Sequence, residues 1–192
     1  MNLNVEKILI IGLGMIGSSI ALASKSKGIK VYGFDKSNNS IKEALEKNII
    51  DSKVESILDI NSKDFVKKVD LIIVAVPPKQ TLDVLNDLKD IWNTDVTITD
   101  TSSVKNHIKL NGASNIVLSH PIAGSDQSGI SAANGDLFKN KKNVLCDPFN
   151  SKKGHFEKVD NFWKNALQMR TSSMSVSAVS YTHLRAHETS ID

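Results

Sequence analysis

The chain has 192 residues, 40% of them apolar and 23% charged, with a formal net charge of +3. That length suits one ordinary domain, or one domain with a fragment of a second. The lysines are scattered among acids as on a solvated face, which argues against a nucleic-acid partner. The single cysteine, Cys146, cannot form an internal disulfide and fits a reducing cytoplasm.

In chain order, residues 8–11 read as a short apolar strand, followed by a glycine-rich turn and a helix ending near Lys27. The uncharged run 8–23, with Lys7 before it and Ala21-Leu22-Ala23 at its end, has the outline of an export signal. Glu6 beside Lys7 and three glycines at cofactor-loop spacing count against export, and no run approaches the roughly 18 apolar residues of a membrane span. Residues 30–35 form a second strand, and Asn38 or Asn39 is expected to cap a helix through Glu46. A helix after Ser62 reaches Lys68 and leads into 71–76, an unbroken apolar run that suits a strand buried on both faces and ends at Pro77-Pro78. Residues 80–91 read as helix, 96–100, 116–118 and 143–146 as strands, and 155–167 as a closing helix. The alternation predicts a doubly wound α/β domain with a mostly parallel sheet of Rossmann type, whose ligands lie beyond the carboxyl ends of the strands.

Those strand ends hold the candidate site. Gly12-Leu13-Gly14-Met15-Ile16-Gly17 follows the first strand and opens a helix, the context in which a GxGxxG run binds a dinucleotide. The first glycine allows the turn, the second lets backbone approach a pyrophosphate, and the third lets helix pack on strand. Asp35 closes the next strand, where a carboxylate accepts ribose hydroxyls and repels a 2′-phosphate, so NAD is expected over NADP. A solvated strand-end acid is the plainer alternative, and Lys36 beside it softens the repulsion. Val76 and Pro77 are expected to border the cofactor at the sheet crossover, or merely to end a strand. The segment VTITDTSSVK places Ser102, Ser103 and Lys105 at the start of the next helix, where capping by itself explains one serine. His120 ends the following strand, and a histidine there is either a packed, hydrogen-bonded residue or a base. A hydride acceptor, small hydroxyls and an imidazole on one edge of one sheet describe an alcohol oxidation site.

The stretches GLGMIGSSIALA, AVPP, TDTSSVK and SHPIAGSDQSGISAANGDLF resemble the prephenate and arogenate dehydrogenases of tyrosine biosynthesis, over roughly residues 5–175. The resemblance implies a cytoplasmic, NAD-dependent enzyme that oxidatively decarboxylates prephenate to 4-hydroxyphenylpyruvate, with His120 as the base and Ser103 as the hydroxyl that orients substrate and histidine. Ser102, Lys105, Asp126 and Gln127 are expected to meet the substrate, Asp126 standing where many family members carry glutamate. A homodimer formed through a helical second domain is also implied, as is an arginine from that domain for a substrate carboxylate; here the first arginine is Arg170. No membrane partner and no metal are expected. Residues 1–177 are read as the dinucleotide-binding domain. Residues 178–192, where the family continues into its helical domain, resemble instead the translation of a sequencing adaptor, so a non-native tail and a missing second domain are expected. Within that tail His183 and His187 mimic a metal pair at helical spacing but lack a third ligand. Three alternatives stay open: an arogenate dehydrogenase, another Rossmann 3-hydroxyacid dehydrogenase, which requires a catalytic lysine on a later helix, and a module that holds NAD without turnover.

Overall fold

Five parallel strands form the central sheet of the computed structural model, which describes residues 5–105, 108–124, 127–147, 149–152 and 154–175. The chain runs β1 (Lys7–Ile11), α1 (Met15–Lys25), β2 (Lys30–Phe34), α2 (Asn38–Glu46), β3 (Ser52–Lys53), α3 (Ile57–Ile60), α4 (Lys63–Val66), β4 (Leu71–Val74), α5 (Pro78–Asp87) and β5 (Thr97–Asp100). The strand order is β3-β2-β1-β4-β5, with every neighbouring pair parallel. The order reverses at β1 and β4, which opens a crevice above their carboxyl ends. Both strands are buried on both faces, which is why they read as unbroken apolar runs. Each such aliphatic side chain contributes about 1.5–3 kcal/mol on leaving water.

The chain then leaves this sheet. A single bridge between Ile98 and Ile116 is its last parallel contact with the central sheet among the described residues. Beyond it β6 (Leu118–Ile122), β7 (Lys142–Cys146) and β8 (Arg170–Ser173) form a second, three-stranded sheet in the order β6-β7-β8. The first pair is antiparallel and the second parallel. The helix α6 (His155–Asn161) continues as a π-helical turn, Phe162–Ala166, that buries Trp163 edge-on against Phe138 and Phe162.

Several local expectations change. His120 does not end a strand of the main sheet; it lies in the middle of β6, opposite Val144 of the second sheet. Pro121 is tolerated within that strand because β6 is an edge of its sheet, where a missing N–H breaks no ladder. No helix follows Ser103 among the described residues up to Leu110, because Lys105 turns inward to an ion pair instead of facing solvent on a helix. The cap of α2 is Ser37, whose side chain accepts the Ser40 N–H, and not Asn38 or Asn39. Strand β8 carries no apolar alternation and escaped the pattern reading. Asp126 and the tail with His183 and His187 lie outside the described residues.

Candidate active site

The glycine run occupies the crevice as its spacing requires. Gly12 has φ +98°, and its N–H bonds the Phe34 carbonyl at 2.9 Å. Gly17 packs so tightly on the turn that a Cβ there would stand 1.9 Å from the Gly12 carbonyl oxygen. Gly14 differs, since a Cβ at that position meets no atom within 4 Å. The space beside it belongs to a crevice of about 290 Å³ lined by Gly12, Leu13, Gly14, Asp35, Val76 and Pro77, together with Gly129 and Ile130. Gly14 also starts α1, which has no side-chain cap and no acid in its first turn. Its first N–H groups therefore offer an anion both donors and the positive end of the helix dipole. Met15 and Ile16 sit in that first turn and contribute backbone; the Ile16 side chain packs against the core.

Asp35 is half-buried at the crevice wall. Its Oδ2 accepts the Leu13 N–H at 2.7 Å and its Oδ1 the Ser37 N–H at 2.8 Å. Each oxygen keeps a second lone pair, so the carboxylate both braces the glycine turn and remains able to accept ribose hydroxyls. An open backbone at Gly14, an uncapped helix terminus and an acid at the end of β2 fit a dinucleotide. Gln80, Val84 and Ile57 complete the far wall. Pattern reading missed these three because ordinary helix and loop residues carry no motif.

The second half of the site grows from β5. The Thr101 N–H bonds the Val74 carbonyl at 3.1 Å, so the serine turn rises beside the strand that leads to Val76 and Pro77. Ser103 is half-buried there, as is His120 on β6. Gln127 is exposed in the loop that reaches the crevice at Gly129. Two of the residues expected at the substrate are placed elsewhere. Ser102 is 3% exposed, and its hydroxyl is folded onto its own turn, donating to the Val104 carbonyl at 3.0 Å and accepting the Val104 N–H at 3.2 Å. Lys105 is fully buried: its ammonium meets Asp100 Oδ1 at 2.7 Å and Oδ2 at 2.5 Å, and donates to the Ser119 carbonyl at 2.6 Å. With its three donors committed, it has none left for a substrate carboxylate. Burial pushes this ammonium below its ordinary value, while the Asp100 charge pulls it back up. Asp100 and Ser119 were not singled out from the sequence; an acid closing an apolar strand five residues before a lysine was the available signal. No group of three or more potential metal ligands occurs among the described residues.

The family described as Prephenate dehydrogenase, nucleotide-binding domain, matches residues 20–168. The chain is similar to the prephenate dehydrogenase of Bacillus subtilis (strain 168), 34% identical over 85% of this chain and 45% of that protein. It is also similar to the prephenate dehydrogenase of Lactococcus lactis subsp. cremoris, 38% identical over 74% of this chain and 41% of that protein. Thus it spans less than half the length of these relatives. Among solved structures, the prephenate dehydrogenase of Aquifex aeolicus in complex with hydroxyphenyl propionate and NAD+ superimposes with a TM-score of 0.81 at 28% identity, covering 92% of this chain and 62% of that one.

Proposed function

The chain belongs to the prephenate dehydrogenase family, whose nucleotide-binding domain it carries, and we propose that the whole protein catalyses the NAD-dependent oxidative decarboxylation of prephenate to 4-hydroxyphenylpyruvate. One observation carries this reading: the serine turn is bonded to the strand that leads into the cofactor crevice, and the same turn is tied through Asp100 to the residue before His120. These bonds connect the strand that leads into the crevice to the backbone beside Ser103 and His120, which supports a reading in which cofactor and proton-transfer groups act together.

NAD, when bound, supplies the hydride acceptor for the ring carbon that bears the hydroxyl. Gly14 and the first turn of α1 hold its pyrophosphate, and Asp35 accepts its ribose hydroxyls. His120 takes the proton of the substrate hydroxyl as the hydride departs from the same carbon. The ring carboxylate leaves as carbon dioxide, the electron pair of the broken bond completes the aromatic ring, and the oxygen, a carbonyl after hydride loss, takes the proton back from His120 to become the phenol hydroxyl. Ser103 orients the hydroxyl toward the imidazole, while Gln127 meets the substrate from the loop before Gly129, and Asp126, which precedes it in the sequence, is assigned the same role by the family resemblance. A base so placed is worth about a hundredfold to ten-thousandfold. In the same reading the full protein is a cytoplasmic homodimer, paired through a helical domain, with neither nucleic acid nor membrane as partner. Among the described residues no helix is long and apolar enough to cross a membrane.

The test measures NADH formation by the full-length protein with prephenate and, separately, arogenate. Prephenate is expected to be the better substrate; preference for arogenate replaces the substrate but keeps the chemistry. His120→Asn is expected to lower kcat about a hundredfold or more with NAD affinity retained, because an amide takes no proton at neutral pH. Ordinary turnover by that variant overturns the assignment of the base.

A further inference from the structure

The geometry points to Asp100 as a positioning residue whose buried carboxylate sets the serine turn and His120 at a fixed separation, an inference that rests on the dehydrogenase reading above. Its two oxygens face different parts of the site. Oδ2 accepts the N–H of Ser102, next to Ser103, at 3.0 Å. Oδ1 accepts the N–H of Ser119, next to His120, at 3.1 Å. Lys105 neutralises the carboxylate and closes the loop by donating to the Ser119 carbonyl. The Ser119 hydroxyl is held in turn by Thr99 Oγ1 at 2.7 Å and by the Trp163 indole N–H at 3.0 Å. Every polar group of Ser119 is thus occupied, and the backbone that enters His120 has no freedom to shift without breaking several bonds at once.

The place of this cluster in the fold explains why a carboxylate is needed. After the Ile98–Ile116 bridge, β6 leaves the main sheet to pair with β7, so no strand ladder joins the end of β5 to β6. The groups that carry the chemistry sit across that gap, and Asp100 spans it with a side chain. Asp100, Lys105 and Ser119 are all fully buried. An ion pair in such a place is weak as a source of stability, since well-packed apolar residues of similar volume serve as well or better. What it supplies is a unique geometry, and a misplacement of about 1 Å at a reacting group costs on the order of a hundredfold in rate.

The experiment replaces both charges in the full-length enzyme, Asp100→Asn with Lys105→Met, so that no unpaired charge is left in the interior. The expected result is a folded protein with unchanged NAD affinity, a KM for prephenate within about threefold of the original, and a kcat lower by about tenfold to a hundredfold. The ionisation of His120 seen in the pH profile of kcat/KM is expected to move as well, which a purely structural role would leave in place. Unchanged kcat and pH profile in the folded double variant overturn the inference. A second measurement needs no substitution. Hydrogen exchange in the unaltered full-length enzyme should show the Ser102 and Ser119 amides protected equally, within about tenfold, because one carboxylate holds both. An unprotected Ser102 amide overturns the inference whether or not the double variant folds. If the unaltered enzyme oxidises neither prephenate nor arogenate, the reading of function fails while the exchange measurement still decides the clamp.

Discussion

Alanine at Gly14 and alanine at Gly17 are expected to fail in opposite ways. At Gly14 the backbone has φ −75° and ψ −168°, a conformation open to any residue, and the added Cβ meets nothing within 4 Å. Glycine is a better helix cap than alanine by up to about 1 kcal/mol, and the stiffer unfolded chain returns about 0.4–1 kcal/mol, so stability should change by less than about 1 kcal/mol. The same methyl occupies the space a pyrophosphate needs to reach the N–H groups of α1. Losing one charge-assisted hydrogen bond costs about 1.5–3 kcal/mol, which weakens NAD binding about tenfold to a hundredfold. At Gly17 the Cβ lands 1.9 Å from the Gly12 oxygen, so the helix must move off the turn. Overpacking of that severity costs about 3 kcal/mol, and at about 2–4 °C per kcal/mol for a chain of this size Tm falls by about 6–12 °C. Thermal unfolding without cofactor and calorimetric titration with NAD separate the two. A Gly14→Ala protein that binds NAD normally, or that unfolds as early as Gly17→Ala, refutes this account of the crevice.

Three further outcomes are expected. Asp35→Ser should narrow the preference for NAD over NADP, since it removes the charge that repels a 2′-phosphate while keeping a hydroxyl for the ribose; titration of both cofactors at low salt checks this, and an unchanged ratio counts against Asp35. His155 is buried with Thr97 Oγ1 at 2.7 Å from its Nδ1. Burial, then the nearby Lys158, lowers its pKa below 6.5, with Lys152 adding to this and Asp95 and Asp147 opposing it. The unfolded chain therefore binds the proton more readily, so this contribution is fully present above pH 6.5 and is lost as pH falls through 6.5 toward the folded value. Tm measured from pH 7.5 to 5 should fall less steeply in His155→Gln than in the original chain. Cys146 is 1% exposed. Its thiol is pushed up by burial, with Lys105 opposing and Asp100 reinforcing the shift. A thiol reagent should thus label it only after denaturation, and rapid labelling of the native protein would contradict that packing.

Much of the site was legible in the residues because the signals are local. The apolar runs of β1 and β4, the spacing of Gly12, Gly14 and Gly17, and Asp35 at the end of β2 each report a requirement met within a few residues or within one strand-helix-strand unit. The carboxyl-terminal half was read less well. Its periodicity located β7 around residues 143–146 but set the strand before it at 116–118, where the structure has β6 at Leu118–Ile122 and only an isolated bridge at Ile116. It carried no sign that β6 changes sheet, so His120 was placed on the wrong one.

Sequence by itself determined that this chain builds a dinucleotide crevice from the glycine turn after β1 and the acid that closes β2. Tertiary structure alone decided the duties of the polar residues beyond it. Lys105 has the composition of a substrate-binding cation and became the buried partner of Asp100, while Ser102 became part of a turn. Ser119, without a motif, became the point where Thr99, Asp100, Lys105 and Trp163 meet. Those partners stand up to 44 positions away in the chain. Whether a lysine faces solvent, substrate or an interior carboxylate depends on which segments the fold brings against it, because the desolvation of a charge is offset only by a partner already in place.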